Sequence, residues 1–291
     1  MAIDRRAALL PTLALVFNAF TWGVSWWPFR QLEARGLHPL WATALIYALA
    51  VLVITLWRPA AWRDLWRAPA LWVLVLAAGF TNASFNWAVT IGDVVRVVLL
   101  FYLMPLWAVL LARLLLGERL APLALLRVLL ALAGAAIVLW PAGGGLPLPD
   151  TLAEWLGVAG GFSFALNNVM LRREAHQPES ARALAMFAGG ALVAGTLALV
   201  LSSQGTVAWP PPPATAWLVG ALALGGAFLL GNLALQYGAA RLPANATAVV
   251  MVSEVQFAAV SALWLGAAVL TLPLLLGGAL IVLAALLAAR S

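Results

Sequence analysis

The chain has 291 residues, 65% of them hydrophobic and only 9% charged, and its mean hydropathy is +1.03. A soluble domain carries about 25% charged and roughly 45–50% apolar residues, and much of any soluble surface must stay wet, so a soluble globular enzyme is excluded. The net charge is +6 and every basic residue is arginine, but the arginines lie between apolar runs and form no dense patch, which excludes a nucleic-acid partner.

The chain contains no cysteine, so disulfides and thiolate chemistry are absent. Its two histidines, His38 and His176, fall in expected loops, and no metal or cofactor is expected.

A spanning helix needs about 20 mostly apolar residues. The first apolar run, 9–29, follows a basic start as in a signal peptide. It is longer than such a peptide's core, and Arg30, Gln31, Glu33 and Arg35 follow it in place of a small-residue cleavage site, so it reads as a retained spanning helix. Further helices are expected at 38–57, 69–89, 94–114, 121–141, 153–171, 183–202, 215–236, 244–265 and 270–289. Gly92 and Asp93 mark one short joint, Gly266 and Pro273 another. The longer punctuated stretches, 141–150 and 202–213, are rich in Gly and Pro and cannot remain helical. The expected fold is therefore all-α, a polytopic membrane protein of ten transmembrane helices.

Arginine marks the orientation. Arg5, Arg6, Arg58, Arg63, Arg67, Arg113, Arg119, Arg172, Arg173, Arg182, Arg241 and Arg290 fall on one side of this topology, Arg30 and Arg35 on the other. The positive-inside rule then puts both termini in the cytoplasm. Membrane lipids are the implied surroundings, with Trp57, Trp62, Trp66, Trp140, Trp155 and Trp209 near expected helix ends, where an indole suits the headgroup layer.

The two halves can be laid on one another. Phe20–Arg30 aligns with Phe162–Arg172, and Leu114–Glu118 with Leu263–Ala267. Five helices per half is an odd number, so the halves, 1–145 and 150–291, run in opposite senses. Inverted repeats of this kind recur in secondary transporters, which hold their substrate near the midplane.

The pattern resembles the drug/metabolite transporter superfamily with its paired EamA-type domains. Thr21-Trp22-Gly23 looks like the family's first-helix motif, Pro105 with Leu116-Gly117-Glu118-Arg119-Leu120 like its fourth-helix signature, and Tyr237–Val249 like its eighth-to-ninth helix passage. Gly36–Tyr47 is similar to amino-acid exporters of the YddG type. The resemblance implies ten spans, inverted repeats and export or exchange of small metabolites, amino acids first among them. The chain departs from the pattern where the second half carries Glu254 and Ala267 in place of proline and a terminal glutamate.

Polar side chains at membrane depth are costly without a partner or a cavity. Asn82 and Asn86, four residues apart, share one helix face, as do Asn232 and Gln236. Asn167 and Asn168 lie on the sixth helix, and Glu254 about ten residues into the ninth. Each either lines a substrate cavity, together with Trp22 and Tyr102, or bonds one helix to another. Arg96 either snorkels to the headgroups or meets a substrate carboxylate at the cavity mouth. Arg127 reads as a snorkelling residue, and Glu118 as a gate or packing residue. Pro105 falls mid-helix, where it is expected to kink the chain.

No H-E-x-x-H, Walker loop or paired-carboxylate site is present, so no enzyme is expected. The leading reading is a secondary transporter in the bacterial inner membrane, working by alternating access. A channel-like facilitator and a non-transporting scaffold are the alternatives. A monomer is expected, with a dimer as the alternative.

Overall fold

The computed structural model describes residues 5–117, 122–140, 146, 148–239, 241–242 and 250–288. Among them every regular element is helical: α1 (Arg5–Val24), α2 (Trp26–Glu33), α3 (Pro39–Trp57), α4 (Ala60–Arg67), α5 (Ala70–Ile91), α6 (Val94–Phe101), α7 (Met104–Leu116), α8 (Pro122–Leu139), α9 (Leu152–Arg173), α10 (Glu179–Ser203), α11 (Thr215–Ala239), α12 (Ser253–Trp264) and α13 (Leu272–Ala288). Six helical runs among the described residues are long and apolar enough to cross a membrane: Leu9–Glu33, Pro39–Trp57, Ala70–Ile91, Val94–Leu116, Glu179–Ser203 and Trp217–Leu235. Large apolar side chains such as Leu52, Leu56, Leu230 and Val260 are exposed, as a hydrocarbon solvent permits. The chain is an all-α, multi-pass membrane protein.

The structure corrects the sequence reading at several helix boundaries. The first run continues beyond residue 29, as α1 and α2 joined at Ser25, and reaches Glu33. The 58–67 segment, read as a loop, is the amphipathic helix α4, which buries Ala61 and Leu65 and leaves Trp66 outside. Its apolar face packs on Leu71, Leu184 and Ala185, so α4 lies at the same end of the bundle as the start of α10. The fourth run is divided at Tyr102 and Leu103, and Pro105 falls in the first turn of α7. A proline needs no partner for its missing N–H there, so the expected kink is a break between two short helices.

Local chemistry fixes the other ends. The His38 Nδ1 accepts from the Leu40 N–H at 3.2 Å, with Pro39 opening α3. Asp93 accepts from the Arg96 N–H at 2.8 Å and caps α6. Thr151 caps α9 by accepting from the Glu154 N–H, and the Glu154 carboxylate reaches back to the Asp150 N–H at 2.9 Å. This reciprocal arrangement is a capping box set one residue early. At the C-termini of α7 and α12, Gly117 and Gly266 take left-handed φ values of 69° and 68°, a turn that glycine makes without a Cβ clash.

Small residues let the helices approach. A Cβ on Gly189 would strike the backbone of Val75, and one on Gly161 the carbonyl of Phe101, so α10 and α9 lie almost backbone-to-backbone against α5 and α6. This is how membrane helices gain packing energy when lipid is as apolar as their own side chains. The principal contacts join the halves. α5 packs on α9 and α10, as α11 packs on α1 and α3. α6 and α7 pack on α9, as α12 packs on α1, while α3 meets α10 and α8 meets α13. Each of these cross-half pairings has a counterpart when the halves are exchanged.

Candidate functional site

A cavity of about 140 Å³ lies in the middle of the bundle. A cavity of roughly 150 Å³ takes a benzene ring, so the space suits a small solute, far smaller than a lipid or a peptide. Side chains from α1, α3, α5, α6, α9, α10, α11 and α12 line it, and both halves of the chain contribute.

Seven aromatic rings form most of the wall: Trp22, Tyr47, Phe85, Phe101, Phe164, Phe187 and Phe228. They fall into two sets. Trp22 stacks on Phe228 with centroids 4.5 Å apart, and Tyr47 joins Phe228 to Phe187 at 6.3 and 5.6 Å. In the second set Phe101 bridges Phe85 and Phe164 at 4.8 and 5.3 Å.

Set among the rings are Asn18, Thr81, Asn82, Asn167, Asn232 and Glu254. The side chain of Asn82 is already satisfied: its Oδ1 accepts from the Tyr47 hydroxyl and its Nδ2 donates to the Ala78 carbonyl at 2.7 Å. Thr81 donates to the Ala77 carbonyl of its own helix. Asn18 and Asn167 differ. They are 1% and 2% exposed, yet both side-chain polar atoms of Asn18 and the Oδ1 of Asn167 have no hydrogen-bond partner among the described residues. Buried amides are seldom left so, and an unmade bond costs about 1–3 kcal/mol. The Tyr102 hydroxyl donates to Glu254 Oε2 at 3.3 Å from just behind the cavity wall.

The structure thus brings Trp22, Asn82, Asn167, Asn232 and Glu254 together around one space, with Tyr102 in support. It separates the others. Asn86 is fully buried outside the cavity and donates from Nδ2 to Thr43 Oγ1 at 3.0 Å, so it binds α5 to α3. Asn168 is exposed on the outer face of α9, because one residue turns a helix by about 100°. The side chains of Pro105 and Gln236, and Glu118 as a whole, lie outside the described residues. Arg127 lies on α8 largely buried, with no partner for Nε among the described residues. Arg96 is away from the central cavity, paired with Glu154 beside a separate recess at one end of the bundle. Arg30, placed in a loop by the sequence reading, lies on α2 and donates to the last carbonyls of α5, Thr90 at 3.1 Å and Gly92.

Sequence reasoning missed Asn18, Tyr47 and the five phenylalanines. Phenylalanines in an apolar run carry no sign of whether they face lipid or a cavity. Asn18 did carry a signal, as the amide in the α1 run one helical turn before Trp22. No group of three or more His, Cys, Asp or Glu able to hold a metal ion occurs among the described residues.

Comparison with known proteins agrees with this architecture. Residues 9–140 match the sequence model of the EamA-like transporter family. An uncharacterized transporter of Pseudomonas aeruginosa is 40% identical over 98 residues, a match that takes in 32% of this chain and 33% of that protein, about a third of the relative's length. A solved crystal structure of another protein is similar over 96% of both chains, with a TM-score of 0.58 and 22% identity. At that identity the likeness concerns the fold alone.

Proposed function

We propose that the chain, whose residues 9–140 match the EamA-like transporter family, is a secondary carrier of the drug/metabolite transporter superfamily that exports or exchanges a small metabolite, an amino acid or a close chemical relative, by alternating access across the bacterial inner membrane. The observation that carries this reading is the central cavity, which both halves of the chain build from aromatic rings and where the Asn18 amide and Asn167 Oδ1 have no hydrogen-bond partner among the described residues. A scaffold protein has no use for such groups in a cavity, and a channel needs a continuous polar path where this wall is mostly aromatic.

Two inverted five-helix repeats, 1–145 and 150–291, are part of the proposal. The matched pairings of helices across the two halves favour them. So do Gly117 and Gly266, which align at an offset of 149 and take the same left-handed turn. In that arrangement one repeat rocks against the other around the cavity. The arginine distribution favours cytoplasmic termini, with α4 and the start of α10 on the cytoplasmic side. Within the cavity Asn18, Asn167, Asn232 and Glu254 hold the solute's polar end, and the rings hold its apolar body.

The test is counterflow. Purified protein is placed in liposomes and assayed with a panel of labelled amino acids under imposed proton and sodium gradients. Preloaded unlabelled solute accelerates uptake if the protein is a carrier. Uptake that never saturates and ignores preloading contradicts it, as does the absence of any flux. Glu254→Gln is expected to cut transport while leaving folded protein in the membrane.

A further inference from the structure

We propose that the cavity selects its solute by a positively charged amine attached to an aromatic or apolar body, and that a carboxylate on the solute weakens binding. This rests on the carrier reading and narrows it. The orphaned groups set the argument. Acceptors outnumber donors among the residues that line one small space: the Glu254 carboxylate and the unpartnered Asn18 Oδ1 and Asn167 Oδ1 stand against one unpartnered neutral donor, Asn18 Nδ2, among the described residues. A primary ammonium brings three N–H donors, a full positive charge and no acceptor, so it suits this surplus of acceptors.

A carboxylate on the solute meets the opposite situation. No arginine or histidine lines the cavity among the described residues. The two arginines at the capped end of α6 and α9 are engaged elsewhere, Arg30 on the carbonyls of α5 and Arg96 on Glu154. The hydroxyl of Tyr47 is directed to Asn82. A second carboxylate would therefore sit in a low-dielectric chamber beside Glu254, with like charge as its neighbour and no cation to offset it.

The rings reinforce the same preference. The face of an aromatic ring carries partial negative charge and attracts a desolvated cation, tryptophan most strongly. Trp22 with Phe228, and Phe101 with Phe164, supply such surfaces on a scale that suits a ring-bearing amine.

A matched series of probes decides it. Phenethylamine, phenylalanine and 3-phenylpropionate share one ring and chain, and differ as cation, zwitterion and anion. Each is titrated against the full-length protein by thermal shift in detergent and by flux in liposomes. The amine is expected to bind at least about tenfold more tightly than phenylalanine, with no binding of phenylpropionate. Glu254→Gln and Asn167→Leu are each expected to weaken the amine at least about tenfold, and Glu254→Asp to retain part of it, so the test stands even where one variant fails to fold.

Phenylalanine bound as tightly as the amine overturns the proposal, as does any binding of the anion. Failure of all three while another solute is carried also overturns it, and in each case the carrier reading survives. Absence of flux for every solute removes the carrier reading itself.

Discussion

Arg96 of α6 pairs with Glu154 of α9, joining the two halves of the chain at the end where both helices begin. Glu154 is buried, while about a third of the Arg96 side chain is exposed. The two ends of the pair therefore have unequal consequences. Removing Arg96 leaves a buried carboxylate with only the Asp150 N–H, whereas an Arg96 without Glu154 can extend its guanidinium to the aqueous boundary. Arg96→Met is expected to destabilise by roughly 2 kcal/mol, less than the 3–5 kcal/mol typical of fully buried pairs, and Glu154→Gln by less. Melting temperatures in detergent check the order, and equal losses contradict it.

Helix contact through glycine makes a second prediction. The Cβ of Gly161→Ala would meet the Phe101 carbonyl oxygen, a backbone atom that cannot step aside, whereas Gly226 has nothing within 4 Å. Gly161→Ala is expected to cost about 1–3 kcal/mol, and Gly226→Ala to be neutral or to stabilise by up to about 1 kcal/mol. Thermal unfolding of the two variants beside the unchanged protein is the check.

The two buried amides Asn86 and Asn167 should behave differently. Asn86→Ala removes the bond to Thr43 and leaves a void outside the cavity, so it lowers stability by about 1–2 kcal/mol and leaves solute affinity unchanged. Asn167→Ala removes an unpartnered acceptor, so stability holds while transport falls at least about tenfold. Paired unfolding and flux measurements separate the two, and a loss of affinity on Asn86→Ala would contradict the assignment.

His38 lies between two spanning segments, its ring against Trp87 with centroids 5.2 Å apart. Burial lowers its pKa from 6.5 to about 4. Below pH 6.5 the unfolded chain takes up a proton that the folded one refuses, so the stability present above pH 6.5 is lost as the pH falls toward 4. His38→Asn keeps a side-chain acceptor at the N-cap of α3 without a titrating group. The fall in melting temperature between pH 6.5 and 4 is expected to shrink in this variant, and an unchanged profile contradicts the role of His38.

The helices were legible in sequence because hydrocarbon makes apolar length a direct structural signal: the six described runs able to span a membrane all fall on expected ones, while the start of the expected 244–265 run lies outside the described residues. What the runs could not reveal was angular position. Asn167 and Asn168 are adjacent in sequence, yet one enters the cavity and the other faces outward. Asn82 and Asn86 share a helix face, yet only Asn82 reaches the cavity wall. The phenylalanines of the cavity were invisible for the same reason, since lipid and cavity walls accept the same residue. Arg30 and Arg96 were read as boundary charges, and their partners, the carbonyls of α5 and Glu154, depend on packing between distant segments.

The central claim is that a carried solute occupies the space among Trp22, Asn18, Asn167 and Glu254. The chain has no cysteine of its own, so Leu235→Cys places a single thiol on the cavity wall. Its rate of reaction with a water-soluble maleimide, measured on purified protein with and without a solute shown to undergo counterflow, tests the claim most directly. The account predicts saturable protection, half-complete near the concentration that half-saturates flux. A thiol that reacts at the same rate with and without that solute contradicts it.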